Sequence, residues 1–460
     1  MPRAPAQWDE ARTGPGYRQT FDLGMRFWDR VGLMPDKRGL RLGGGPEGKR
    51  PGLGLWAAVF CVLPLVCRAH GIDSQIGAGA DQGLAEMAAG PPTVPALTPA
   101  SPYKRHRKAH RWGIRWSGAI LADVSHTLRG GLNDHGVLAQ YLLGLRATMK
   151  TARLFGWPGG TFFIDFQDHR GPSVQARQVG SIQDPDNMDA YATAGIDRAW
   201  YQQDLAGRRL RFRVGLMYVD DQFLTVPYGR DFVSLDFSSD AALSTFVLPT
   251  YPRGAFGTDV FIYPTRSFYV AAGLFNGHLY QVLPYDPGGK FFITQTGFKG
   301  HIASLPGVLE LGAWRHTGTF QRFTGGLQHR AQGWYLVAGL ALSHPRGDTG
   351  GTRRGVGVFF QYGAGPPTVA LIRRHIGAGI VWRGAFSGPR RDSLGLGVSD
   401  AYLTPDAGLV SGSETVYEAY YRLFVARNLS VEPDLQYWHH PGGKGTPSAL
   451  LVLIRTQWNF

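Results

Sequence analysis

A chain of 460 residues is long enough for two or three soluble domains or for one large barrel, so length alone excludes little. Composition is narrower: 64 Gly, 12% aromatic residues, 18% charged residues and 2 Cys suit many short strands joined by turns and disfavour a helical enzyme. The formal net charge is +14, of which +9 remains beyond Ala69, and the arginines are spread over alternate positions, which argues against nucleic acid as a partner.

The mean hydropathy of −0.17 matches a water-soluble protein. It equally matches a membrane β-barrel, in which lipid-facing and lumen-facing residues alternate and their hydropathies cancel.

In chain order, residues 1–71 read as a leader region. An apolar run from Pro51 to Cys67 follows Lys49-Arg50, is interrupted by Pro64 and ends at Arg68-Ala69. A spanning helix needs about 20 apolar residues, and this run is shorter, so it reads as the core of a secretory signal peptide cut near Ala69 or Gly71. Met34 is an alternative start. Both cysteines, Cys61 and Cys67, lie in this run, so the exported chain would carry none. Residues 72–111 form a flexible arm rich in Gly, Ala, Pro and Thr, ending in the basic knot Lys104 to Arg111, which is either solvated or in contact with anionic lipid head groups.

From Trp112 onward the period is two. Leu210, Phe212, Val214 and Leu216 oppose Arg209, Arg211 and Arg213; Tyr417, Ala419, Tyr421, Leu423 and Val425 oppose Glu414, Glu418, Tyr420 and Arg422. Leu429, Val431, Leu435 and Tyr437 oppose Ser430, Glu432, Asp434 and Gln436. About sixteen strands fit between Trp112 and Phe460, an even number as bacterial barrels require. Val369–Ile376 and Gly379–Phe386 count as separate strands, and Ala449–Phe460 is either one more or a sign that two others merge. The stretches 170–195, 218–254 and 277–290 are long connections, extracellular or folded inward. In the final segment Leu450, Val452, Ile454, Trp458 and Phe460 share a face against Arg455, Gln457 and Asn459. The fold class is therefore all-β, a transmembrane antiparallel β-barrel over 112–460.

Several blocks resemble the carbohydrate-selective outer-membrane porins of the OprB type. They are Phe155-Gly-Trp-Pro-Gly-Gly-Thr-Phe162, Trp200-Tyr-Gln-Gln203, the run from Leu210 to Phe223, Leu248-Pro-Thr-Tyr-Pro252 and Phe268 to Gly277. Gly312 to Gly318, Glu418-Ala-Tyr-Tyr-Arg422 and Leu429 to Gly443 complete the set. The resemblance implies a sixteen-stranded barrel in the outer membrane through which sugars diffuse passively. One departure stands out: many members carry acidic residues around the Trp of the second block, where this chain has Arg198 and Gln202 beside Trp200. That exchange should make the pore more tolerant of anions.

The expected pore-lining residues are Arg170, Arg198, Trp200, Gln202, Arg211, Arg213, Glu418, Arg422, Glu432 and Asp434. Guanidinium forks and carboxylates exchange hydrogen bonds with sugar hydroxyls, and an aromatic face stacks on a pyranose ring. Arg170 and Arg177 belong either to a solvated connection or to one folded inward that narrows the pore; Asp220 and Asp221 line the constriction, bind a divalent ion or make a turn. The run Asp184 to Asp189 is similar to a calcium loop but lacks the central Gly and distal Glu, so no metal is expected. No catalytic set and no cofactor are expected either. The alternatives are an anion-preferring or general diffusion porin and, more remotely, a barrel enzyme or a secreted sugar-binding β-protein. Expected partners are small hydrophilic solutes, outer-membrane lipids and lipopolysaccharide, and the barrel assembly machinery through the strand ending in Phe460. A homotrimer is left open.

Overall fold

The computed structural model describes residues 113–278, 286–343, 354–386 and 392–460. The expected leader at 1–71 and arm at 72–111 lie outside the described residues. Sixteen strands among those described close into one antiparallel barrel, with β1 hydrogen-bonded to both β2 and β16. They are β1 Ile114–Arg129, β2 Leu138–Lys150, β3 Gly160–Arg170, β4 Thr193–Leu205, β5 Leu210–Met217, β6 Ala255–Ile262, β7 Phe268–Asn276 and β8 Lys290–Ile302. The second half comprises β9 Leu305–Gln321, β10 Leu327–Ala341, β11 Gly355–Ala364, β12 Ile372–Arg383, β13 Ser393–Leu403, β14 Ser413–Ala426, β15 Leu429–His439 and β16 Ala449–Asn459. Closure gives every strand two neighbours, the condition a sheet must meet in hydrocarbon, where an unpaired peptide group has no water to bond.

The expectation of two strands over 369–386 is corrected. One strand, β12, pairs continuously with β11 from Arg374 opposite Ala364 to Arg383 opposite Gly355. Gly377 and Gly379 look like a break in the sequence. They sit inside the strand because β11 side chains lie over them: a Cβ on Gly377 would meet Gln361 Nε2 at 2.6 Å, and one on Gly379 would meet the Phe359 ring at 2.5 Å. With that merger β16 becomes the sixteenth strand and not a seventeenth.

The outward faces are apolar as the alternation requires, with Phe162, Ile164 and Phe166 on β3, Tyr417 on β14 and Trp458 on β16 all exposed. One rim carries tight connections such as 303–304 and 427–428, the other the long ones. Two long connections, 171–192 and 218–254, fold into the lumen. The second brings Phe223, Phe232, Phe237 and Phe246 against inward side chains of the wall, including Phe261, Phe320, Phe359 and Tyr420, so the main hydrophobic core lies inside the barrel. Ring centroids are 5.3 Å apart for Phe223 and Phe261, 5.3 Å for Phe246 and Phe320, and 4.9 Å for Phe232 and Tyr420. Inward glycines make the room: a Cβ on Gly357 would stand 2.1 Å from the Tyr228 ring.

Candidate functional site: the charged lumen

With the apolar inner segment against β5–β14, the polar groups concentrate on the walls formed by β1–β4 and β14–β16. A register shift between β3 and β4 near Asp165 sets Arg198 and Trp200 on the inward face. Arg198 donates from Nη1 to both oxygens of Asp221 at 2.7 and 2.9 Å, and from Nε to Asp165 at 3.1 Å. Asp165 also accepts from Arg146 Nε at 3.2 Å. Arg146, Asp165, Arg198 and Asp221 therefore form an alternating chain of charges from β2 through β3 and β4 to the inner segment.

A second chain lies across the barrel seam. Arg455 of β16 holds Asp123 of β1 at 3.0 and 3.1 Å, and its Nη2 reaches Asp186 of the segment 171–192 at 2.7 Å. A third joins Arg422 to Glu432 at 2.6 Å and to the Asp231 backbone carbonyl at 2.7 Å, with Arg383 Nη2 on the Asp231 carboxylate at 2.8 Å. Burial pushes the Asp231 carboxyl up, but the guanidiniums of Arg383 and Arg422 outweigh it and hold the group below the ordinary carboxylate value. Asp220, beside the first chain, is pushed up to about 6 by burial and by the charge of Asp221.

Two carboxylates four residues apart on the inward face of β14 act as staples. Glu414 accepts from the backbone N–H of Ile182 at 2.8 Å, of Gln183 at 2.7 Å and of Gly442. Glu418 accepts from Val233 N–H at 2.7 Å and Ser234 N–H at 3.1 Å. One strand thus fastens both inner segments through charge-assisted hydrogen bonds. The run Asp184 to Asp189 serves the same end: Asp189 accepts from the backbone of Val174 at 3.1 Å and of Gln175 at 2.8 Å, while Asp186 meets Arg455. Burial, with the nearby carboxylates, pushes Asp184 up to about 8 and Asp189 to about 7.

Nine of the ten expected residues lie on lumen faces. Arg170 does not: β3 runs through it, so the alternation sets it with Phe162, Ile164 and Phe166 on the outer face, ion-paired with Asp168 at 3.1 Å. Trp200 faces inward but is covered, stacked on Phe163 at 4.8 Å with the Arg213 guanidinium 5.4 Å from a ring centroid. At 3% exposure it is not a stacking surface for a sugar. Arg211 lies over the Phe261 ring at 4.2 Å, and Arg213 is sealed against Asp259. Gln202 donates to Asp204 at 3.1 Å, and Asp434 accepts from Gln436 at 2.9 Å. The residual exposure in the charge chains is greatest in the third, at 26% of the side chain for Arg383, 19% for Asp231 and 14% for Arg422, with 11% for Asp221 and 10% for Arg146 in the first. The expected set omitted Asp123, Arg146, Asp165, Asp186 and Arg455. Asp165 was signalled by its alternation with Ile164 and Phe166, and Arg455 by its place opposite Ile454.

A closed sixteen-strand antiparallel barrel, apolar outside and cross-linked by charges within, with connections folded into the lumen, defines the class of porins. Residues 134–460 match the family model described as carbohydrate-selective porin, OprB family, and the chain belongs to that family. Porin B of Pseudomonas aeruginosa is 22% identical over 413 residues, covering 74% of this chain and 86% of that protein. The high-pH structure of Pseudomonas putida OprB has the same fold, with a TM-score of 0.70 at 19% identity over 76% of this chain and 94% of that one. The low-pH structure of the same protein gives a TM-score of 0.50 over 76% of this chain.

Proposed function

We propose that this outer-membrane porin passes carbohydrates along the polar side of its lumen, past the chain Arg146, Asp165, Arg198 and Asp221 and the chain Asp123, Arg455 and Asp186. The observation that carries the reading is the alternation itself: each guanidinium is already held by a carboxylate, so the wall offers fixed donors and acceptors with little net field. Hydroxyl-rich neutral solutes exchange water for such groups at small cost, whereas a bare ion gains less than it would from an unpaired row. Of the expected residues, Arg422, with 14% of its side chain exposed, remains a solute contact; Arg198 and Glu432, at 3% and 2%, hold the charge chains together, Glu418 positions the inner segment, and Arg211 and Arg213 hold the wall. Passage through such a site needs contacts that are weak and multiple.

Liposome swelling with neutral mono- and disaccharides, set beside sugar acids of equal size, tests the reading. Faster entry of the neutral sugars supports it; faster entry of the acids favours an anion-preferring pore instead. Assembly through the final strand fits the same picture: Phe460 exchanges hydrogen bonds with Gly118 of β1 at 2.8 and 2.9 Å, which places the terminal residue in the closing seam.

A further inference from the structure

The outer face of β8–β10 carries two cations among its apolar side chains. Lys290 on β8 and Arg315 on β9 stand on the same outward alternation as Phe292, Leu309, Leu311 and Trp334, all of them exposed. Phe292 is opposite Arg315, and Lys290 N–H donates to Thr317 Oγ1 at 2.9 Å, so the two cations are diagonal neighbours on one face. Diagonal pairs on a sheet stand about 7–8 Å apart, a span one phosphate group can bridge with two long side chains. Gln332 of β10 is opposite Arg315 and adds a neutral donor. Among the described residues no carboxylate pairs with Lys290 or Arg315.

Their height on the wall gives the partner. β8 begins at Lys290, so the pair lies at the rim of the long connections, while Trp334, stacked on Tyr362 at 4.9 Å, is one inward-outward repeat nearer the middle. Aromatic girdles mark the boundary between acyl chains and head groups, and a cation on the lipid face is tolerated at that depth and above it. We propose that Lys290 and Arg315, with Gln332, bind a phosphate of a phosphorylated lipid in the outer leaflet. Hydroxyls of Thr317 and Thr319 on the same face offer further donors to a glycolipid head group. The inference rests on the outer-membrane reading, which conductance tests separately.

The full-length protein in nanodiscs is titrated with diphosphoryl lipid A and with the same lipid after removal of both phosphates. Binding of the phosphorylated lipid is expected to be at least tenfold tighter, and Lys290→Gln with Arg315→Gln to abolish that preference, since each lost charge-assisted contact is worth about tenfold. The swapped variant Lys290→Arg with Arg315→Lys should retain it, and both variants should keep the unit conductance of the parent. Equal affinity for the two lipids, or an unaltered preference in the glutamine variant, overturns the proposal. So does a change in oligomer size without a change in lipid preference, which would make the patch a contact between copies.

Discussion

Glu414→Ala removes the acceptor of three N–H groups, those of buried Gln183 and Gly442 and half-buried Ile182. A buried donor left without a partner costs about 1–3 kcal/mol, and two of the three belong to the segment 171–192, so holding that segment in place would cost about 2–6 kcal/mol. Release into the lumen is cheaper, because water then satisfies the amides. The released segment carries Asp186 away from Arg455, which opens the second charge chain. At tenfold per 1.4 kcal/mol, even the lower figure raises the open population by about 25-fold. In planar bilayers the variant should show a larger and noisier unit conductance, and the amides of Ile182 and Gln183 should exchange hydrogen faster. Glu414→Asp, one methylene shorter, should fall between the two. Unchanged conductance together with unchanged exchange at these amides would refute the stapling role.

The lumen should also respond to pH in two windows. Asp184 and Asp189 are raised to about 8 and about 7, so their protonated forms stabilise the packed segment fully below about pH 4 and that contribution is lost as pH rises through 7 and 8. Current noise recorded between pH 6 and pH 9 should therefore grow, and Asp184→Asn should flatten the rise. Asp231 runs the other way: its lowered value means that the clamp with Arg383 and Arg422 is present at neutral pH and weakens as pH falls below the ordinary carboxyl value, visible as a second change in conductance in acid. Arg198→Ala strips both Asp221 and one side of Asp165 of their partner, a loss of about 3–5 kcal/mol for a buried pair, and the reversal potential in a salt gradient should shift towards cation preference. Gly118→Leu places carbon 2.4 Å from the Phe460 ring and should lower the yield of heat-resistant folded barrel on cold gel electrophoresis.

Alternation made the wall legible, because a strand in a membrane barrel has to keep oil and water on opposite sides. Parity alone assigns Glu418, Glu432 and the final strand, whereas Arg198 shares its parity with the outward Ile196 and faces the lumen only through the register shift between β3 and β4. Parity does not say what covers an inward side chain. Trp200 and Arg213 face the lumen yet are sealed by Phe163 and Asp259, contacts between strands that periodicity does not encode. The inner segments were harder still. Phe223, Phe232, Phe237 and Phe246 follow no period of two, since their burial is set by a wall more than one strand away. Arg170 fails for a smaller reason: β3 runs one residue into the stretch 170–195 that the sequence reads as a connection.

β14 reaches back across the chain: Glu414 holds residues 231 and 232 positions earlier, and Glu418 holds residues 184 and 185 positions earlier. During biogenesis the two lumenal segments are therefore made long before the strand that fixes them. Until β14, in about the last tenth of the polypeptide, joins the sheet, the constriction has no definite shape, and a barrel arrested before that stage would be an intermediate whose bore is not yet set.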